Sequence, residues 1–211
     1  ELVRSGMLLG LGTGSTARHF IAQLGARVAG GLEVAAVASS RASEEQARSL
    51  GIRILDGVDR PLDLAVDGAD EVDPSLNLVK GRGGALFREK VVAAAARRFV
   101  VVVDETKLVP ALGVGVLPVE VLPFLWRTTA GRLAGLGCSW TLRGGEGTPF
   151  LTDNGNLVLD LLFPAGIAEP EELAAEIRDV VGVVEHGLFL GLATACLVAG
   201  ADGVRILGSL E

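Results

Sequence analysis

Residues 66–90, "VDGADEVDPSLNLVKGRGGALFREK", carry five acidic side chains, two lysines and two arginines around a cluster of glycines. The rest of the chain is rich in Ala, Val, Leu and Gly, so this stretch concentrates the groups able to move protons and hold developing charge. Glu89 is the most telling. On a helical wheel it falls between Val92, Ala93 and Ala96, on a helix apolar over most of its circumference. Loss of water there raises a carboxylate pKa towards the range of a general base, and an ordinary ion pair with Lys90 or a nearby Arg is the competing role. Asp67 and Asp70 stand three residues apart after an apolar run, placed either to bind hydroxyls or to cap a turn. Glu71 and Asp73 read as solvated charge. The acidic cluster has no metal-ligand spacing and no EF-hand pattern, so no metal is expected.

All three lysines, Lys80, Lys90 and Lys107, fall between residues 80 and 107, in a chain with sixteen arginines. Where Arg is the default cation, a retained Lys suggests a use for a compact point charge. Lys80 beside glycines and Lys107 beyond a strand end suit substrate contact; Lys90, mid-helix, suits structure or surface. "GLGTGSTA" at 10–17 turns from strand to helix, where free amides and the helix dipole can hold a phosphate beside the hydroxyls of Thr13, Ser15 and Thr16. Its glycines also fit a dinucleotide fingerprint or a plain tight turn, but no Walker lysine follows. His19 and His186 are too few for a triad or metal set and read as packing or surface residues. The absence of Tyr excludes a tyrosine-dependent reductase.

These residues need a scaffold, and the pattern supplies one. At 211 residues the chain can bury one substantial core with a smaller satellite. Short apolar runs at 7–12, 32–38, 53–55, 62–66 and 99–103 alternate with helical spacing at 17–28, 43–51 and 85–98, the last of these before the final run. Ser43 and Gln46 form a capping-box pattern. This predicts an α/β fold: a Rossmann-like, doubly wound, mostly parallel sheet over 1–115, with 190–211 returning to it. Strands at 116–121, 138–142, 150–152, 157–162 and 183–184, with helices at 126–136 and from Pro170 to about 180, give a smaller α+β domain over 116–189 of ferredoxin-like βαββαβ order, with a tight turn at Asn154-Gly155. Ligands of open α/β sheets bind beyond the carboxyl ends of the strands, which is where Thr13, Ser39, Ser40, Asp67, Asp70 and 104–107 fall.

Composition narrows the class. A net charge of -7 without a basic tract argues against a nucleic-acid partner. The hydrophobic fraction of 49% could suggest a membrane protein, but the weakly polar run 187–201 is too short to span a bilayer. Two distant cysteines, Cys138 and Cys196, fit a reducing cytoplasm. The start lacks a signal-peptide pattern and an initiator Met, so a trimmed N-terminus is expected.

"GLGTGSTA", "VDGADEVD", "KGRGGALFREK", "VVVDETKLV", "LPVEVLP" and "TDNGN", in that order over nearly the whole chain, together resemble ribose-5-phosphate isomerase, type A. The resemblance implies a cofactor-free aldose–ketose isomerase of the pentose phosphate pathway, acting on a sugar phosphate as a homodimer or homotetramer. It implies substrate contacts from Thr13, Gly14, Ser15 and Thr16, from Asp67, Gly68, Ala69 and Asp70, and from Lys80, Gly81, Arg82 and Gly83. Glu89 becomes the proton acceptor and Lys107 a further contact. Arg82 stands where glycine is expected, so its backbone role carries over more safely than its side chain. The helix that members carry before the first strand is expected to be missing, and any phosphate contact from it with it.

The residues fit such chemistry: a base moves a proton between adjacent carbons and donors steady the ene-diolate. Glu89 is expected to shuttle the proton between C2 and C1, Lys80 to steady the oxyanion, and Asp67 and Asp70 to bind hydroxyls and assist ring opening. Three other readings stay open. Ser39, Ser40 and Arg41 could take the 2′-phosphate of an NADP-dependent oxidoreductase; the chain could be a non-catalytic sugar-phosphate sensor; or Glu89 could be the nucleophile of a coenzyme A transferase.

Overall fold

The computed structural model describes residues 2–210. In chain order the elements are β1 (Leu8–Leu11), α1 (Ser15–Ala29), β2 (Ala35–Ala38), α2 (Arg41–Ser49), β3 (Arg53–Ile54), β4 (Leu64–Asp67), β5 (Glu71–Val72), β6 (Leu78–Val79), α3 (Leu86–Ala94) and β7 (Phe99–Asp104). A 3-10 turn at Glu105–Lys107 follows, then β8 (Leu117–Val121), α4 (Trp126–Ala134), β9 (Ser139–Leu142), β10 (Leu157–Leu162), α5 (Pro170–Asp179), β11 (Val183–His186), β12 (Leu188–Phe189), β13 (Ala195–Gly200) and β14 (Gly203–Gly208). The chain forms two compact units, one of residues 1–69, 88–105 and 191–211, the other of 70–87 and 106–190.

The first unit holds a seven-stranded sheet in the order β14-β13-β7-β4-β1-β2-β3. Every neighbouring pair is parallel except β13 with β14. The four residues of β1 and the four of β4 are all buried, as continuous apolar runs in a sheet covered on both faces should be. Leu9, Leu11, Ile21, Leu24, Leu64 and Val66 centre a core between sheet and α1. The order reverses at β1, with β2 to one side and β4 to the other, which makes the crevice beyond the ends of β1 and β4 the switch point of the sheet.

The second unit contains β8-α4-β9-β10-α5-β11, with the sheet order β11-β8-β10-β9 and every pair antiparallel. This is the expected ferredoxin-like arrangement, and its core runs through Val119, Val121, Leu133, Leu159, Leu161 and Ile177. A second, three-stranded sheet, β12-β6-β5, lies in the same unit. Residues 70–87 and 106–115, read from sequence as part of the Rossmann-like domain, group with this second unit instead. β6 explains this for 70–87, because it pairs with β12 on one side and with β5 on the other.

Other local expectations change too. Residues 150–152 form no strand; the hairpin joins β9 to β10, while the Asn154-Gly155 turn closes with the Gly155 amide donating to the Thr152 carbonyl at 2.9 Å. Ser40, not Ser43, caps α2 by accepting from the Ser43 amide at 3.1 Å, and Gln46 reaches the Arg18 carbonyl rather than closing a capping box. The apolar run 187–201 supplies two strands, β12 and β13. Among the described residues no helix is long and apolar enough to cross a membrane. Cys138 and Cys196 are buried free thiols, and desolvation pushes Cys196 up to about 11.

Asp63, just before β4, accepts from the Leu8 amide at 2.7 Å and pairs with Arg60 at 3.1 Å. The Leu8 amide first, then the Arg60 guanidinium, hold its carboxyl below the ordinary value against the opposing pull of burial. A depressed folded pKa contributes stability above the unfolded value, and that stability is lost as pH falls through the folded value. Asp63→Asn should therefore cost about 1 kcal/mol near neutral pH. Urea melts of both proteins should converge as pH drops below the ordinary carboxylate range; an unchanged gap in acid would contradict the assignment.

Candidate active site

In the first unit, β1 and β4 end side by side, and their ends carry the polar groups. Asp67, 4% exposed, turns its carboxylate under the phosphate-type loop: Oδ1 accepts from the Thr13 amide at 3.0 Å and the Gly68 amide at 2.7 Å. The loop can come this close only because residue 12 is Gly; a Cβ there would sit 2.1 Å from Asp67 Cγ. Thr13 Oγ1 meets Ser39 Oγ at 2.7 Å and Ser43 Oγ at 3.5 Å, and Ser43 donates to the Gly12 carbonyl at 2.7 Å. A chain of hydroxyls thus fixes Thr13 from the end of β2 and the start of α2. Gly14 stands at the N-cap of α1 with no side chain capping it, so the first-turn amides at Ser15 and Thr16 face the loop side of the helix. Gly68 lies against Thr16, whose Cβ would be 3.6 Å from a Cβ at 68, with Ala69 following.

Glu89 belongs to the same edge of this sheet. Residues just past α3 pair with Leu62, two residues before β4, the Arg97 amide donating to the Leu62 carbonyl at 2.8 Å, so α3 ends at the amino-terminal side of the sheet. Val92 packs on Gly10 in the middle of β1, its Cγ1 only 2.5 Å from where a Cβ would stand. Glu89, one turn earlier on the same face, lies towards the carboxyl ends of the strands and is 6% exposed. The desolvation expected from the wheel is met. Ser39 and Ser40, at most 6% exposed, spend their hydroxyls inside the protein, which removes the basis for a 2′-phosphate site there.

The second unit gathers the remaining residues at one end of its small sheet. The Asp70 amide donates to the Val79 carbonyl, so Asp70 and Lys80 flank the same rung of the β5–β6 pair, and Leu108 bridges Val72, which brings Lys107 alongside. Lys80 is 3% exposed, with its amide bonded to the Gly187 carbonyl at 2.8 Å and its ammonium 5.5 Å from the Phe189 ring centre. A cation over an aromatic face is attracted by the ring quadrupole. Gly81, Arg82 and Gly83 form the turn that follows, tied by the Arg82 amide to Asp70 Oδ2 at 2.9 Å.

Glu71 is the main correction. Expected as solvated charge, it is 2% exposed; its oxygens accept from the amides of Gly113 (2.8 Å), Val114 (3.3 Å) and Gly115 (2.7 Å) and from the Arg82 guanidinium (2.9 Å). Asp73 likewise caps a turn, accepting from the Ser75 and Asn77 amides at 2.8 Å each. The Arg82 side chain is thereby committed to Glu71, leaving its backbone for other roles. His19 is exposed, and His186 is buried with Nδ1 accepting from the Leu188 amide. Sequence reading missed the hydroxyl chain through Ser43 and the Glu71 cradle; both depend on partners distant in sequence.

Parallel strands, a reversal of strand order and a loop of amides and hydroxyls above it define an α/β protein of the Rossmann-like class with its polar edge at the switch point. The model of the family "Ribose 5-phosphate isomerase A (phosphoriboisomerase A)" matches residues 35–203, and the chain belongs to that family. A ribose-5-phosphate isomerase A from Gluconobacter oxydans is 52% identical, over 97% of this chain and 90% of the relative. The solved ribose 5-phosphate isomerase from Plasmodium falciparum superposes with a TM-score of 0.95 at 35% identity, covering 100% of this chain and 94% of that one. A D-ribose-5-phosphate isomerase solved in complex with phospho-erythronic acid gives 0.92 at 40% identity, covering 98% and 93%.

Proposed function

We propose that Glu89 is the proton acceptor of an isomerisation that interconverts D-ribose 5-phosphate and D-ribulose 5-phosphate. Family membership makes the chain an aldose–ketose isomerase of the non-oxidative pentose phosphate pathway. In the aldehyde form of the substrate Glu89 removes the C2 proton and the electron pair moves towards the C1 carbonyl; the C2 hydroxyl proton then passes to O1, the C2–O bond becomes the ketone carbonyl, and the same carboxyl group returns its proton to C1. Lys80 stabilises the developing oxyanion, and Asp67 and Asp70 hold substrate hydroxyls and assist ring opening. The amides of Gly14, Ser15 and Thr16 and the hydroxyls of Thr13, Ser15 and Thr16 take the phosphate, with Gly68, Ala69, Gly81, Arg82, Gly83 and Lys107 as further contacts.

The observation that carries this reading is the burial of Glu89 on the sheet-facing side of α3, towards the strand ends that hold Thr13 and Asp67. The buried free thiols support a reducing cytoplasm. A homodimer or homotetramer is supported by the exposed apolar side chains of Phe124 (81%) and Val181 (77%). The direct test is incubation with ribose 5-phosphate in the presence of a chelator while ketose formation is followed. Conversion is expected. Stabilisation by the sugar phosphate without conversion would instead identify a sensor, and tight NADPH binding an oxidoreductase.

A further inference from the structure

Arg143 lies in none of the motifs that stand out in the sequence, yet it holds the turn after Lys80. It follows β9, and its backbone is fixed on both sides: its amide donates to the Val158 carbonyl at 3.0 Å and its carbonyl accepts from the Phe150 amide at 2.8 Å. Asp160 on β10 grips the guanidinium as a fork, taking Nε at 2.9 Å on one oxygen and a terminal nitrogen on the other. Both side chains are nearly buried, at 16% and 17% exposure. The other terminal nitrogen donates to the carbonyls of Gly81 at 2.9 Å and Arg82 at 3.1 Å. Phe150, 5.8 Å from the guanidinium, presses its ring on Gly84, where a Cβ would lie 2.3 Å from Cζ. A segment with three glycines in four residues has much conformational freedom to lose, and this clamp removes it directly beside Lys80.

We propose that Arg143, oriented by Asp160, is a positioning residue for catalysis: it fixes the 80–84 turn and through it the ammonium of Lys80. The proposal rests on the reading of Lys80 as the oxyanion-stabilising group. The planar fork is what two carbonyls and one carboxylate require, and a lysine cannot supply it.

The test is steady-state kinetics on Arg143→Ala, Arg143→Lys, Asp160→Asn and Lys80→Met, and on the double variant Lys80→Met/Arg143→Ala. Arg143→Ala should lower kcat about 10- to 100-fold with KM within about threefold, Arg143→Lys should recover only part of the loss, and Asp160→Asn should give a smaller fall in the same direction. In the Lys80→Met background, Arg143→Ala should cost less than about threefold more, because the group it positions is already gone. Wild-type kcat in Arg143→Ala, or penalties that multiply in full in the double variant, would overturn the proposal. Wild-type turnover in Lys80→Met would by itself sink the reading of Lys80, whatever Arg143 does. If Arg143→Ala does not fold, Arg143→Lys alone and combined with Lys80→Met carries the same comparison.

Discussion

Replacing Glu89 with Gln is expected to lower kcat by about 10³- to 10⁴-fold while KM stays within about threefold. The substitution keeps shape and removes only the ability to accept a proton. At 6% exposure the site offers little room for water to act as a substitute base. The mechanism adds an isotopic signature. In D₂O the wild-type protein should place deuterium on C1 of the product, and Glu89→Gln should lose both turnover and this exchange in parallel. Near-normal turnover, or exchange that survives the substitution, would assign the base elsewhere.

Lys80→Met should reduce kcat by about 10²- to 10³-fold, the cost of losing one donor at a developing oxyanion. Methionine preserves the unbranched stem, so packing against Phe189 is retained while the charge is removed. The Lys80 backbone is held through the Gly187 carbonyl, so the turn should stay in place and the effect should fall on the transition state. A rise in KM with kcat intact would make Lys80 a ground-state binding group and remove it from the chemical step.

Much of this was legible in the sequence because the relevant signals are local. The apolar run entering GLGTGSTA reads as a strand because glycines and then a helical pattern follow it, and the spacing of Val92 and Ala93 around Glu89 foretold both helix and burial. Glu71 shows where local reading stops. Nothing within several residues marks it as different from Asp73, yet amides from residues 113–115 converge on it. β13 was hidden for a related reason: a strand in the interior of a sheet reads as an unbroken apolar run, and only its pairing with β7 and β14 identifies it. The placement of 70–87 differs for a similar reason, since two-residue strands carry no periodicity and the tie of β6 to β12 comes from far along the chain.

The two units are threaded rather than strung in series: the polypeptide passes from one to the other at 69/70, 87/88, 105/106 and 190/191. No single cut releases either as an intact piece, and a fragment ending at residue 115 would strip β13 and β14 from one and most of the other. A recombination event at any one junction would therefore transfer neither unit whole.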